Sequence, residues 1–349
     1  KADELVTVEA ASELVVDMSA VSTVTGTFAN LKSSYVTNKA GLSGIGNETL
    51  VASDATISIA NANELSAFST GLAKATIVDS TKAQLDVLTS SANEYAVTVT
   101  DASISAVDLN AINAKTTGLV TIDATTITGA LSDVRALYEA NEAGTVSSLG
   151  NEAVIASDTG TVNAADINFV NSNTSGAFTL NKATTITGTV DDVKATYAAY
   201  ASGTVTGLGN EAITIADLGT TITTAVLNEL KALTTGSVTV SLSGTTIAAK
   251  DLNDLDAESS ETINAGGVTL ITGSVADVNQ AYAAGGITGL GNEAVTLSDT
   301  SITAAALKTL DGNTSGTINA ASASTLTGNS GDVTAAYTSA EITGLGNEA

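Results

Sequence analysis

Seven aspartates share one place in a repeated pattern, and their carboxylates are the clearest candidates for binding chemistry. Each follows a short alternation of apolar and polar residues, as in Val97-Thr98-Val99-Thr100-Asp101. They are Asp54, Asp79, Asp101, Asp123, Asp158, Asp217 and Asp299. Stacked copies of such a strand would place these carboxylates about 5 Å apart, where like charges repel and hard cations such as Ca²⁺ find oxygen ligands. One hypothesis is therefore a set of calcium sites along this aspartate column.

The same position has a second interpretation, which needs no ligand. Asp and Asn side chains commonly accept backbone hydrogen bonds where a strand turns into a helix. Nothing in the chain matches the glycine-and-aspartate nonapeptide of calcium-binding β-rolls or an EF-hand loop. We favour turn chemistry for the aspartate column and keep calcium as the alternative.

A tripeptide, Gly-Asn-Glu, is the second recurring polar feature. It occurs at residues 46–48, 150–152, 209–211, 291–293 and 346–348. It could offer a carbonyl, an amide oxygen and a carboxylate to a cation. We expect instead a turn in which Gly and Asn meet the backbone requirements and the Glu side chain lies in solvent.

The composition removes most catalytic chemistry. The chain has 349 residues with no His, Cys, Pro or Trp, and its 12 basic and 37 acidic residues give a formal charge of −25. Imidazole bases, thiolate nucleophiles and Cys or His zinc ligands are therefore excluded. The charge disfavours binding to nucleic acid or anionic lipid and favours inorganic cations. We find no pairing of a nucleophile with a base and no phosphate loop, so we expect no enzyme activity and no organic cofactor.

Hydropathy predicts a folded chain without a membrane span. The sequence is 43% hydrophobic with a mean hydropathy of +0.26, which is too apolar for a disordered chain. No stretch approaches the roughly 18 apolar residues that cross a bilayer, and no signal-peptide pattern follows Lys1. Because Lys1 replaces an initiator Met, we expect a processed chain or a fragment.

Two kinds of repeat position these residues. Aligning the ends of the alternations gives twelve units separated by 20–25 or 35–37 residues. In the short units, a Thr/Ser/Ile-rich turn leads to two apolar residues three apart, which share one face of a helix. These pairs are Leu65/Phe68, Leu85/Leu88, Leu109/Ile112, Ile167/Val170, Leu227/Leu230, Leu252/Leu255 and Leu307/Leu310.

The five long units carry a different helix. Its pattern is Gly, three residues, Asp or Asn, Val or Leu, three residues and Tyr. Val and Tyr four apart share a helix face, so the tyrosine occupies one repeated, half-buried position. The five tyrosines are Tyr35, Tyr138, Tyr197, Tyr282 and Tyr337.

These units predict an α/β architecture in which neighbouring repeats complete each other's core. A unit of this size cannot bury its strand and helix faces alone, whereas stacked units can. We expect a right-handed solenoid of about twelve strand-turn-helix coils, roughly 60 Å long, with one parallel sheet face and the helices opposite. Residues 1–349 would form one domain, with irregular coils in 1–50 and alternating short and long repeats in 51–349. We expect this domain to continue as a longer array or to stack end to end on its copies.

Two phrases carry a resemblance to a known group of proteins. Ile-Thr-Gly-Leu-Gly-Asn-Glu-Ala at residues 287–294 and Ile-Thr-Gly-Ser-Val-Ala-Asp-Val at 271–278 are joined by Ala/Thr-rich segments. They resemble tandem repeats of giant secreted or cell-surface proteins of marine cyanobacteria, of the haemolysin-type calcium-binding-like kind. The resemblance spans nearly all of the chain, most clearly residues 119–349. It implies an extracellular envelope, sheath, filament or motility role, often with calcium, and no catalytic residues.

The sequence therefore predicts a non-enzymatic structural protein of the extracellular surface, such as a filament, sheath or surface-layer component. Its partners would be copies of itself, the continuing chain and divalent cations. One alternative is an adhesin or recognition module, which an exposed aromatic cluster would favour. Others are a phage tail-fibre-like or an ice-binding solenoid, the latter suggested by outward threonines such as Thr98, Thr214 and Thr296.

Overall fold

A computed structural model describes residues 1–89, 92–217, 224–242, 246–258 and 261–346 of the chain, without the side chains of 216, 217, 224 and 258. The helices are α1 (Ala2–Ala11), α2 (Phe28–Lys32), α3 (Ile59–Ser66), α4 (Lys82–Leu85), α5 (Ala106–Asn113), α6 (Leu131–Glu142), α7 (Ala164–Asn173), α8 (Val190–Ser202), α9 (Thr224–Lys231), α10 (Ala249–Glu258), α11 (Val275–Ala283), α12 (Ala304–Asp311) and α13 (Ser330–Thr338). A π-helical turn (Ser33–Thr37) and a 3₁₀ turn (Lys39–Gly41) follow α2.

Short strands alternate with these helices. In unbroken order they are β1 (Val16–Asp17), β2 (Thr23–Gly26), β3 (Leu42–Ser43), β4 (Thr49–Ala52), β5 (Ala73–Thr76), β6 (Glu94–Val99), β7 (Ser103–Ser105), β8 (Val120–Ile122), β9 (Thr126–Gly129), β10 (Val146–Ser147), β11 (Ala153–Ala156), β12 (Thr161–Asn163), β13 (Phe178–Thr179), β14 (Thr185–Gly188), β15 (Val205–Thr206), β16 (Ala212–Asp217), β17 (Val238–Leu242), β18 (Thr246–Ala248), β19 (Thr262–Asn264), β20 (Leu270–Gly273), β21 (Ile287–Thr288), β22 (Ala294–Leu297), β23 (Ser301–Thr303), β24 (Ile318–Asn319), β25 (Thr325–Thr327) and β26 (Ile342–Thr343).

The chain forms two compact units. The first comprises Lys1–Asp158, Asp166–Lys182 and Ala201–Gly207, and it holds the sheets β1-β3, β10-β8-β6-β5-β4-β2 and β15-β13-β11-β9-β7. The second comprises Thr159–Ala165, Ala183–Tyr200 and Leu208–Ala349, and it holds the sheets β12-β14-β16-β17-β19-β21, β18-β20-β22-β24-β26 and β23-β25.

The prediction of a mixed α/β architecture with parallel strands is confirmed, because each of these strand pairings is parallel. The strands form several sheets instead of the single sheet face expected. The reason lies in the segment ahead of each short helix, which we predicted as a turn. Ser103-Ile104-Ser105 is strand β7, with Ile104 buried between two side chains that face outwards. Period-2 alternation over three residues is thus enough to build a second strand within one repeat.

Aligned apolar columns form the core of each unit. Val154 lies opposite Phe178, and Phe178 lies opposite Val205, with all three side chains fully buried. In the second unit Ile215, Val240 and Ile263 form an equivalent row. One buried side chain per strand on a common face therefore gives continuous packing from strand to strand.

Most of the predicted helical pairs of the short units also face this core. The pair Leu65/Phe68 is an exception, because α3 ends at Ser66 and buries Ala62 and Leu65, while Phe68 is only partly buried. Leu109 and Ile112 of α5, and Leu307 and Leu310 of α12, are fully buried. Small residues allow the coils to approach: a Cβ added at Gly328 would lie 3.2 Å from the Cβ of Ala304, the first residue of α12. None of the helices in the described ranges is long and apolar enough to cross a membrane.

Candidate functional site

Most side chains of the aspartate column bind the first turn of a helix in the preceding coil. Each accepts a hydrogen bond from the N–H of that helix's first residue. The bonds are Asp54 to Phe28 (2.6 Å), Asp79 to Ile59 (2.7 Å), Asp101 to Lys82 (2.6 Å), Asp158 to Leu131 (3.0 Å) and Asp299 to Val275 (2.7 Å). A carboxylate there satisfies an orphan donor and lies at the positive end of the helix dipole.

The two remaining members of the aspartate column differ. Asp123 has an exposed side chain, and its backbone N–H donates to Val99 O at 2.9 Å. Asp217 is the last residue of β16, and its side chain lies outside the described part of the chain. In the described ranges no three acidic side chains gather in a way that could hold a metal ion. Calcium binding by the aspartate column stays a prediction.

The Gly-Asn-Glu loops bury their glutamates, so the expectation that these side chains lie in solvent is wrong. Glu48, Glu152, Glu211 and Glu293 are at most 2% exposed. In each loop one carboxylate oxygen accepts the N–H of the glycine two residues earlier, at 2.7–2.8 Å. Asn47 and Asn151 add a second N–H in their loops, at 3.2 and 3.0 Å. The turn thus folds around its own carboxylate. Glu348 lies outside the described residues.

In the four long units whose glutamate is described, the repeated tyrosine donates a further hydrogen bond to that glutamate. Tyr35 donates to Glu48 at 3.0 Å, Tyr197 to Glu211 at 3.3 Å and Tyr282 to Glu293 at 2.9 Å. Tyr138 donates to Glu152 in the same way. In these four units the helical segment that carries the tyrosine is thereby tied to the turn that leads into the next strand.

Burial and the neighbouring glutamate carboxylates raise the pKa of these four tyrosines well above the usual value of the phenol. A neutral phenol donates one hydrogen bond to the carboxylate, whereas a phenolate would place two negative charges together in a poorly solvated site. The tyrosines are therefore hydrogen-bond donors at neutral pH and are poor nucleophiles. Burial alone raises the pKa of Tyr95, in β6, to about 12.

A Thr-x-Gly turn in the following short unit closes over each Gly-Asn-Glu loop. The hydroxyls of Thr174, Thr234 and Thr314 donate to the carbonyl oxygens of Glu152, Glu211 and Glu293 at 2.6–2.8 Å. Ser69 does the same for Glu48 at 2.7 Å. The same hydroxyl then accepts the N–H of the glycine two residues later.

The glycine of the Thr-x-Gly turn leaves no room for a side chain. At Gly316 an added Cβ would lie inside contact distance of the Glu293 carbonyl, and Gly176 meets the Glu152 carbonyl in the same way. We call the tyrosine, the Gly-Asn-Glu loop and the Thr-x-Gly turn the glutamate lock. Among the described residues it occurs four times, around Glu48, Glu152, Glu211 and Glu293.

Two of the buried carboxylates keep one oxygen without a hydrogen-bond partner, Glu48 Oε1 and Glu293 Oε1. In both residues the other carboxylate oxygen, Oε2, accepts the hydrogen bonds from the tyrosine hydroxyl and from the backbone N–H groups of the loop. Glu152 differs, because Tyr138 binds Oε1 while the backbone binds Oε2. The glutamate lock therefore tolerates two arrangements of the phenol around the same carboxylate.

Outward threonines form one continuous row in the second unit. Thr187, Thr214, Thr239 and Thr262 lie opposite one another on four neighbouring strands. In the first unit the corresponding row is interrupted, since the exposed Ile155 lies between Thr128 and Thr179.

Sequence reasoning found the loops, the tyrosines and the aspartate column, but it missed the connection between them. The signal was present: in each long unit a tyrosine precedes the glutamate by 11–14 residues. The glutamate lock joins backbone and side-chain hydrogen-bond donors to one buried carboxylate. No family model matches the chain, and no curated protein sequence matches it.

Proposed function

We propose that this protein is a non-enzymatic structural component of the extracellular surface, a filament, sheath or surface-layer element. The observation that supports it most strongly is the glutamate lock. In the glutamate lock the tyrosine, glutamate and threonine or serine side chains form hydrogen bonds that connect neighbouring repeats. A structural repeat protein needs contacts of this kind to hold its coils together. The phrases at residues 271–278 and 287–294, which resemble cell-surface repeats, support the location.

In this proposal the coils continue as a right-handed solenoid. Parallel strands joined through helices have right-handed crossovers in nearly all proteins. Most described strands pair with a strand of the next repeat, as β20 does with β22 and β22 with β24. Nearest-neighbour contacts of this kind give a stability that grows with the number of stacked repeats.

Assembly would proceed through sheet edges, with a second copy as the partner. In the described residues β2 pairs only with β4. Thr49 N donates to Ser22 O and Ser53 N to Gly26 O, so the even-numbered residues of this strand face β4, because alternate residues of a parallel strand bond to opposite sides. Thr25 therefore turns its N–H away from β4, to the side on which the described residues place no second strand, and we propose that a strand of another copy pairs there.

Electron microscopy of the purified chain tests this proposal. We expect end-to-end filaments, and we expect Thr25→Pro to shorten them because proline removes one outward N–H. Thr25→Val, which keeps that N–H, serves as the control. A chain that stays monomeric at every concentration, or Thr25→Pro filaments of unchanged length, would overturn edge assembly. Monomers that halt ice growth would replace the structural role with the ice-binding alternative.

A further inference from the structure

Asparagines in the pattern Asn-x-Ser/Thr are acceptors for N-linked glycans. The chain has three such sites, Asn47-Glu48-Thr49, Asn173-Thr174-Ser175 and Asn313-Thr314-Ser315. The pattern also arises by chance in a chain this rich in Ser and Thr, so the sequence does not choose between them. Because the asparagine amide is modified and the hydroxyl two residues later belongs to the recognised pattern, both groups must be accessible together.

In two of the three sites the fold occupies both groups. Each of these sites overlaps a Thr-x-Gly turn, and its middle threonine is the closing hydroxyl of a glutamate lock. The bonds of the outer side chains are Asn173 Nδ2 to Phe169 O (3.0 Å), Ser175 Oγ to Gly150 O (3.0 Å), Asn313 Nδ2 to Asn279 Oδ1 (3.3 Å) and Ser315 Oγ to Gly291 O (3.3 Å). The folded chain therefore protects these two sites.

The third site presents both groups outwards. Asn47 is exposed and Thr49 is half-buried, whereas Glu48 between them is fully buried in the lock. Within the described residues neither the Asn47 amide nor the Thr49 hydroxyl makes a hydrogen bond. Asn47 contributes only its backbone N–H to the lock, at 3.2 Å from Glu48 Oε2. A group attached to its side chain would thus leave the bonds of the lock intact.

The hydroxyl of this site departs from the repeat. The other four Gly-Asn-Glu phrases are followed by alanine, at positions 153, 212, 294 and 349. Ala153, Ala212 and Ala294 are half-buried, as Thr49 is. The core therefore does not require the larger side chain at this position. Among the five phrases, the first alone carries the acceptor pattern.

We propose that Asn47 is a glycosylation site, modified by an oligosaccharyltransferase that uses a lipid pyrophosphate-linked oligosaccharide. This inference rests on the extracellular location in the proposed function, since the pattern is modified in exported proteins. Asn47 Nδ2 forms a bond to the anomeric carbon of the sugar, while the bond from that carbon to the pyrophosphate oxygen breaks. The lipid pyrophosphate leaves, and one Nδ2 proton passes to a base of the transferase. The product carries a bulky, solubilising group at the surface.

Glycan transfer to the purified, folded chain tests the proposal. The chain is incubated with an oligosaccharyltransferase that recognises Asn-x-Ser/Thr and with its lipid-linked oligosaccharide, and intact mass and peptide mapping locate the product. We expect one glycan, on Asn47. Synthetic peptides covering residues 42–53, 168–179 and 308–319 are the control. All three should be modified, because the fold no longer holds Asn173 and Asn313.

The variants are chosen to keep the fold. Thr49→Ala installs the residue of the other loops and should abolish transfer, whereas Thr49→Ser keeps the hydroxyl and should retain it. Ala153→Thr places the pattern at Asn151, which is exposed in the second loop, and should add a second glycan.

Three results would each overturn the proposal: a folded chain that stays unmodified while its peptides are modified, a glycan on Asn173 or Asn313 of the folded chain, or full transfer to Thr49→Ala. The assay uses purified protein, so its outcome is independent of filament formation and of where the protein is located.

Discussion

The phenol of Tyr282 donates a hydrogen bond to the Glu293 carboxylate at 2.9 Å, and this contact joins helix α11 to the turn that opens strand β22. The same oxygen also accepts the Gly291 N–H at 2.8 Å. A buried carboxylate is stable only when its hydrogen bonds are made. Tyrosine and glutamate are therefore mutually dependent in every copy of the glutamate lock.

Tyr282→Phe tests that dependence. Removing the hydroxyl takes one donor from a buried charge, so we expect a loss of about 1.5–3 kcal/mol in the free energy of unfolding. Urea unfolding measures it. Tyr200→Phe is the control, because Tyr200 is 38% exposed and its hydroxyl is not a donor to the Glu293 carboxylate, and it should change stability by less than about 0.5 kcal/mol. Equal effects of the two substitutions would contradict the role given to Tyr282.

Gly316→Ala tests the closing turn. A methyl group there would collide with the Glu293 backbone carbonyl, and overpacking of this kind costs about 1–3 kcal/mol. Gly285→Ala is the matched control in the same unit, since an added Cβ there meets nothing within 4 Å. Thermal unfolding of both variants gives the comparison. Were Gly316→Ala as stable as Gly285→Ala, the Thr-x-Gly turn would not be held against Glu293.

Asp299→Ala tests the capping of the preceding helix. The Val275 N–H would lose its acceptor, and we expect a loss of about 1 kcal/mol. Asp123→Ala offers a comparison within the aspartate column, because its exposed side chain lacks the bond that the other five make. It should change stability by less than about 0.5 kcal/mol. The opposite ranking, measured by urea unfolding, would refute the capping role.

Removal of calcium separates the two interpretations of the aspartate column. Turn chemistry predicts the same thermal midpoint with EDTA and with added Ca²⁺, because protein N–H groups already satisfy the carboxylates. A cation bound only by the folded state would add about 2.7 kcal/mol at a hundredfold excess over its Kd. A midpoint that rises with Ca²⁺, and rises less in Asp299→Ala, would establish the calcium hypothesis.

The four tyrosines of the glutamate lock predict that the protein becomes less stable at high pH. Their folded-state pKa values lie above the unfolded value of about 10. The unfolded chain then releases phenol protons before the folded chain does, so the stability from these groups is complete below about pH 10 and is lost as the pH rises through the folded-state pKa. Urea midpoints from pH 8 to 12 should be level and then fall, less steeply in Tyr138→Phe. Tyrosinate absorbance that appears near pH 10 in the folded chain and is lost in Tyr138→Phe would contradict this.

Sequence patterns predicted the elements whose spacing is set by local geometry. Leu109 and Ile112 are three apart and both are buried in a helix, because that spacing is the helix period. Ser103-Ile104-Ser105 was assigned to a turn, since three residues give little alternation to recognise. The polarity of Glu293 alone predicts an exposed side chain, while its burial depends on a phenol eleven residues away and a backbone N–H.

The aspartate column shows the same limit at longer range. Its members were expected at strand-to-helix turns, and Asp299 does follow strand β22. The helix that it caps begins 24 residues earlier in the chain, at Val275. The residue that the aspartate caps is determined by how the coils stack, and the sequence of a single repeat does not contain this information. The spacing of Leu65 and Phe68 likewise predicts two core residues, but α3 ends at Ser66, and Leu65 is the buried residue at the end of that helix.

The glutamate lock has its two halves in adjacent repeats, with the threonine or serine hydroxyl 21–23 residues after the glutamate. Any long unit followed by any short unit therefore recreates a complete junction. Unequal recombination within such a gene would add or delete whole units without leaving an unmatched buried carboxylate. The length of the protein can thus change between generations while each junction stays intact, and natural variants should differ in length by whole repeats.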